Sequence, residues 1–278
     1  MRLNTTGRAA LGCVALLSGP VLAGAPPAQA APPDPNQIVA QMCAYLKSLE
    51  QFSYRAEVTD DQVYTGGKKL QFAFTTENFV QRPDKLRVNA VGDLFDKQFF
   101  FDGKSLTLFD AGDKVYATAT VAGDIEGALE KADRQLRFRV PLGDLSSPKL
   151  CEHMGKGQSH ALYVGPSKVG GVATDHLAFD RPDMQFQLWV ATGKQPLPLK
   201  IVINQKTLPA APQWSATLSD WKTNHKIKPG VFVFSPPAGV QKIAFAPPPA
   251  PAKPPAAPPA ATPDTTPAAT PEATGARP

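Results

Sequence analysis

Residues Phe99–Val121 read FFFDGKSLTLFDAGDKVYATATV, and the reading of this stretch decides the fold. Its aromatic and β-branched residues fall into three short runs, parted by Asp102-Gly103-Lys104 and by Asp110-Ala111-Gly112-Asp113. Glycine supplies positive φ and aspartate a local side-chain acceptor, as tight hairpins require, so the spacing predicts three consecutive antiparallel strands. The apolar residues outnumber what a single outer surface could hide. A meander of this composition hides them by curling into a sheet with an apolar concave side.

Upstream, Phe52–Tyr64, Lys69–Gln81 and Lys85–Val91 are strand-like runs cut by Thr65-Gly66-Gly67 and Arg82-Pro83-Asp84. Side chains alternate along a strand, which puts Leu70, Phe72 and Phe74 on one side and Leu86 with Val88 on one side. Asp34-Pro35-Asn36, followed by Ile38, Val39, Met42, Leu46 and Leu49, predicts a capped amphipathic helix opening the domain. Downstream, Asp124 can cap a short helix carrying Ile125, Ala128 and Leu129, and Phe138–Leu145 forms a second short segment. More strands are expected at His160–Pro166, Val172–Asp180, Gln185–Thr192, Leu199–Gln205, Gln213–Trp221 and Val231–Ser235. Strands and helices do not alternate, so the sheet should be antiparallel.

The two ends differ from this middle. Met1–Ala30 carries Arg2 and Arg8, an apolar run around Leu11–Leu22 and then Ala28-Gln29-Ala30, the pattern of a secretory signal peptide cleaved after Ala30. The competing reading, Cys13 as an acylated lipoprotein cysteine, has almost no apolar run in front of it. No later run is long enough to cross a membrane as a helix. From Ala246 to Pro278 the chain is nearly all Pro, Ala and Thr, which cannot build a core and reads as a disordered, extended tail. Residues 31–245 are therefore expected to form one β-rich domain, exported to the periplasm or beyond.

Charge and chemistry exclude several classes of function. Lys and Arg number 29 against 24 Asp and Glu, and two of the basic residues leave with the leader. The near-neutral remainder has no clustered basic face, which argues against nucleic acid. Cys43 and Cys151 remain after processing, an even pair in an oxidising compartment. A disulfide closing about 100 residues would stabilise by about 4.7 kcal/mol in the chain-entropy account. The alternatives are a packed Cys43 and a solvent-facing Cys151 thiol.

Cys151 and His153 would share a side if this were a strand, yet no third residue orients them as a catalytic pair. His153, His160, His176 and His225 lack metal-ligand spacing, and the glycine-rich pieces at Gly66 and Gly155 lack the phosphate-loop pattern. No catalytic residue, metal site or cofactor is expected. Trp214 and Trp221 read as anchors at the ends of their strand, with Trp221 stacking on a sugar or peptide as the alternative.

Taken in order, FFFDGKSLTLFDAGDKVYATA, VPLGDL, YVGPSKVGGVATDHLAF, DMQFQLWV, PLPLKIVI, SATLSDW and FVFSPPAGVQKIAF resemble the DUF2092 family of predicted periplasmic proteins over roughly Ile38 to Phe245. Relatives often carry Trp where this chain has Met184. The resemblance implies a fold like that of lipoprotein carriers. In that fold a strongly curved antiparallel sheet forms a half-closed barrel, with an N-terminal helix and short helices over its open side.

By analogy of fold, the expected partner is a lipid, an acyl chain or a lipoprotein held against the concave face, or another envelope protein bound outside a filled sheet. The candidate lining is Phe72, Phe74, Leu86, Val88, Phe99, Phe101, Leu106, Leu108, Trp189, Ile201 and Ile203, with Ile125 and Leu129 on the plug. Each alone reads as ordinary core; only the set, as one wall, carries the expectation of a hydrophobic ligand.

Overall fold

The computed structural model describes residues 32–245 apart from 156 and 224. The leader with its cleavage point, Cys13, and the tail from 246 lie outside the described residues.

Helix α1 (Pro35–Ser48) begins as its sequence dictates, with Asp34 Oδ1 accepting the Asn36 N–H at 2.9 Å and Pro35 in the first turn. It ends on Arg82, whose guanidinium donates at 2.6 Å to both the Leu46 and Leu49 carbonyls. The Leu46 carbonyl also takes the Leu49 N–H at 3.3 Å, while the Leu49 carbonyl lies beyond the last intrahelical donor. The first half of the sheet then runs β1 (Gln51–Val63), β2 (Lys69–Gln81), β3 (Lys85–Gly92), β4 (Asp96–Phe101), β5 (Ser105–Asp110) and β6 (Val115–Thr120). In the β4–β5 turn Asp102 Oδ1 accepts from the Lys104 and Ser105 N–H groups at 2.9 and 2.7 Å, with Gly103 at φ 92°. Partial burial would push the Asp102 carboxyl up, but these donors prevail and hold it below the usual carboxylate range.

Helix α2 (Ile125–Arg134) is capped by Asp124, which accepts from the Gly127 N–H at 2.9 Å. A linking segment contains a single 3-10 turn at Gly143–Ser146, and α3 (Leu150–Gly155) follows. Cys151 is therefore helical, and the strand geometry that would have paired it with His153 does not exist; the His153 side chain lies outside the described part. The second half of the sheet is β7 (His160–Val169), β8 (Val172–Asp180), β9 (Met184–Ala191), β10 (Pro198–Gln205) and β11 (Gln213–Lys222).

The strand expected at Val231–Ser235 is absent. A 3-10 turn at Pro229–Phe232 takes its place, since Pro229, Pro236 and Pro237 cannot donate to a ladder. Phe234 then sits on the outer face among Phe100, Phe109 and Tyr116, with ring centroids 5.0–5.4 Å apart. The last element is the two-residue β12 (Gln241–Lys242).

One 12-stranded sheet results, ordered β12-β6-β5-β4-β3-β2-β1-β11-β10-β9-β8-β7, and it does not close into a barrel. The pairs are antiparallel except β12, which lies parallel on β6. At the opposite edge β7 slips register between Tyr163 and Gly165 and then presents Pro166.

The sheet curves round one continuous core. This core joins Met42 and Leu46 of α1, Phe52, Tyr54 and Val58 of β1, Phe101 and Leu106 of β4 and β5, Ile125 and Ala128 of α2, and Leu177 and Leu188 of β8 and β9. Tyr54 pins the linking segment to the sheet by donating to the Leu142 carbonyl at 3.2 Å, and burial pushes its phenol up.

Candidate functional site

Cross-strand register identifies the side chains that share the concave face. One lateral row runs Phe72 (β2), Asp60 (β1), Trp214 (β11), Ile203 (β10), Phe186 (β9) and Phe179 (β8), each directly opposite the next. At a strand spacing of about 4.8 Å the row spans about 24 Å. The next row, Phe74, Val58, Ala216, Ile201, Leu188 and Leu177, lies deeper and packs on the core.

Burial changes along the strands. On β2 the inward positions Asn78 and Val80 are buried, Phe72 and Phe74 are half-buried, and Leu70 is exposed. The helices therefore cover one end of the concave face and leave the other open. Phe95 in the β3–β4 turn packs against Phe74 at 5.2 Å and walls one side of the open part.

The row ends beneath the helices in a small cavity. Phe179 and Phe186 form its floor, while Val39, Ala40 and Cys43 of α1 and Cys151 and Met154 of α3 form its walls, around a volume of about 200 Å³. Cys43 and Cys151 are joined by a disulfide, with Cα atoms 6.1 Å apart, so the bond itself ties α1 to α3 and lines the space. At the rim Gln158 Nε2 donates to Asn36 Oδ1 at 3.0 Å. A larger cleft of about 350 Å³ lies beside α2 and is lined by Thr120, Glu130, Lys131 and Arg134. Its charges are used locally, Lys131 on the Thr120 carbonyl and Arg134 on Glu130.

The thirteen residues of the expected lining divide into three groups. Leu86, Val88, Phe99, Phe101, Leu106 and Ile125 are at most 3% exposed and fill the interior under α2, with Leu129 packed against them. Leu108 shares their face, opposite Phe99. Phe72, Phe74, Ile201 and Ile203 stand on the rows that reach the open part. Trp189 does not share this face: it pairs with His176 and Lys200, one residue out of phase with Leu188. It is sandwiched on the outer surface, His176 stacked at 4.0 Å and Lys200 Nζ 4.9 Å from the ring. The concave side is thus a packed core at one end and an open apolar trough at the other.

Residues 36–246 match the family described as predicted periplasmic protein, DUF2092. The chain belongs to that family. Its localisation is accordingly periplasmic, and no helix among the described residues is long and apolar enough to cross a membrane. No curated protein matches this DUF2092 chain.

Among solved structures it is similar to the lipoprotein LppX of Mycobacterium tuberculosis, at 15% identity and TM-score 0.41 over 69% of this chain and 97% of the other. It is also similar to an uncharacterised conserved protein from Thermus thermophilus, at 8% identity and TM-score 0.44 over 75% and 97%. A LolA superfamily protein from Nitrosomonas europaea matches at 10% identity and TM-score 0.38 over 74% and 99%.

Asp60, Trp214, Phe179 and Phe186 complete the row without having been singled out for it by sequence. Alternation in MQFQLWVA does place Phe186, Leu188 and Val190 on one side and Trp189 on the other. Which residue of β11 lies beside Ile203, and which of β1 beside that one, depends on register, which alternation alone leaves open. Among the described residues no group of three or more His, Cys, Asp or Glu is placed to hold a metal ion.

Proposed function

We propose that this protein binds a single elongated apolar molecule, such as an acyl chain, along the row from Phe72 to Phe179. The observation that carries the reading is the continuity of that row. Aromatic and aliphatic side chains run unbroken but for Asp60, from a half-buried open face into the cavity beneath α1 and α3. The apolar surface this half-buried face leaves in water gains free energy when an apolar chain covers it, at about 25 cal/mol per Å². A chain lying across the strands meets one inward side chain every ~4.8 Å, with its far end against Phe179, Phe186 and Met154.

The role is one of binding rather than catalysis. Cys151, the nucleophile weighed in the sequence, is held in the disulfide. The filled interior under α2 favours the second reading, an envelope interaction module acting through its outer surface, and the two are separable by experiment.

Extraction of the purified protein with organic solvent followed by mass spectrometry should release a stoichiometric apolar molecule, or the emptied protein should enhance the fluorescence of N-phenylnaphthylamine. Ile203→Asp, which puts a charge in the row, should abolish both. A protein that carries nothing and takes up no probe refutes the apolar-ligand reading and leaves the interaction module.

A further inference from the structure

Asp60 is the one charged side chain in the row, and no described residue neutralises it. Lys69, Gln71 and the Gln213 N–H all go to its neighbour Asp61 on the other face, at 3.0, 3.1 and 3.1 Å. No hydrogen bond or ion pair reaches the Asp60 carboxylate from any described residue. The inward side chains around it are Phe72 and Leu70 on β2, Trp214 and Ala216 on β11, and Val58 and Gln62 on its own strand, none of them titratable. Burial, and secondarily the charge of Asp61, pushes the Asp60 carboxyl above the usual range. An unpaired carboxylate flanked by an indole and a phenyl ring is the arrangement that attracts an organic cation, through charge and through the ring faces together.

We propose that Asp60, Trp214 and Phe72 form a head-group site for a single-chain amphiphile carrying an ammonium group, whose tail follows Ile203 toward Phe186. This rests on the apolar-ligand reading and names the chemical class of that ligand. The carboxylate balances the ammonium charge, the two rings cover its methyl or methylene groups, and the tail lies on the rest of the row. An anionic head group of the same chain length meets repulsion from Asp60 at the same place.

The test is displacement of N-phenylnaphthylamine from the purified protein near pH 7 by tetradecyltrimethylammonium, tetradecanoate and tetradecanol, each below its micelle concentration. The ammonium compound should displace at a concentration about tenfold lower than the carboxylate, with the alcohol between. Asp60→Asn should bring the ammonium and carboxylate curves to within about twofold of each other.

A second arm needs no variant. In the wild type the preference for the ammonium compound over the alcohol should fall as pH drops through the titration of Asp60, because neither competitor titrates there. Equal displacement by ammonium and carboxylate, or a preference that survives Asp60→Asn, overturns the head-group site while the apolar-ligand reading stands. Absence of binding by the fluorophore and all three competitors overturns both.

Discussion

Asp60 and Asp61 are consecutive residues of β1 that face opposite sides of the sheet. The outward carboxylate collects Lys69, Gln71 and a backbone N–H, whereas the inward one lies opposite Phe72 and Trp214 with no donor among the described residues. The alternation of a strand is enough to produce this difference.

The two should therefore respond to pH with opposite signs. Partial burial raises the Asp61 carboxyl, but the hydrogen bonds and the Lys69 charge outweigh it and hold the group below the usual range. Its stabilising contribution is present above the unfolded-state value of about 3.9 and is lost as pH falls through the lower folded value. Asp60 is shifted upward, so its ionisation opposes folding above its folded value and that cost fades as pH falls. Thermal unfolding should show Asp61→Asn lowering Tm by about 2–4 °C near pH 7, and Asp60→Asn leaving it equal or higher. Both differences should shrink toward about pH 3. A lower Tm for Asp60→Asn at neutral pH would contradict this assignment.

Two tryptophans of the second sheet half, Trp189 and Trp214, should separate outer packing from ligand contact. Trp189→Ala removes a ring held between His176 and Lys200 on the outer face and should leave uptake of an apolar fluorophore unchanged. Trp214→Ala opens the middle of the row and should weaken uptake about tenfold. Equal effects from both would contradict a trough on the concave side alone.

Arg82 is the fastening of α1. Arg82→Ala takes the guanidinium donor from the Leu46 and Leu49 carbonyls, leaving Leu46 with the Leu49 N–H at 3.3 Å, and removes a cation that lies over the Phe52 ring at 5.1 Å. Hydrogen bonds to charged groups contribute about 1.5–3 kcal/mol each, and the two here share one nitrogen, so a loss of about 2–3 kcal/mol is expected in urea unfolding. Arg82→Lys, with a compact ammonium in place of the planar fork, should recover part of that loss.

Reduction of Cys43–Cys151 should lower stability by about 2–5 kcal/mol, the range for a native disulfide that closes a long loop. Because the bond also walls the cavity between α1 and α3, the Cys43→Ser and Cys151→Ser double variant should bind bulkier apolar probes than the parent. Calorimetry and probe titration of the same preparation measure the two effects separately.

Much of the fold is legible because its signals are local. The β2 run Lys69–Gln81 is bounded by glycines on one side and Arg82-Pro83-Asp84 on the other, and the Asp34 and Asp124 caps announce their helices. Signals fail where tertiary context overrides them. FVFS has strand composition, but the surrounding prolines and the seat of Phe234 among Phe100, Phe109 and Tyr116 make it a strap on the outer face. Cys151 lies in a six-residue helix too short to show a period. Of the candidate site, Phe72, Phe74, Ile201 and Ile203 are readable from alternation. Asp60 and Trp214 are not, because their places in the row are a matter of register: that of β10 with β11 for Trp214, and for Asp60 that of β1 with β11, strands far apart in sequence.

The borders of the sheet bear on whether copies can join edge to edge in a crowded compartment. At one border β12 occupies β6 through Gln241 and Ile243, whose N–H groups donate to the Lys114 and Tyr116 carbonyls. At the other, the slipped register and Pro166 interrupt the row of backbone donors along β7. Neither border offers a second copy a long, straight template for strand-by-strand polymerisation, so the trough can stand open without seeding fibres.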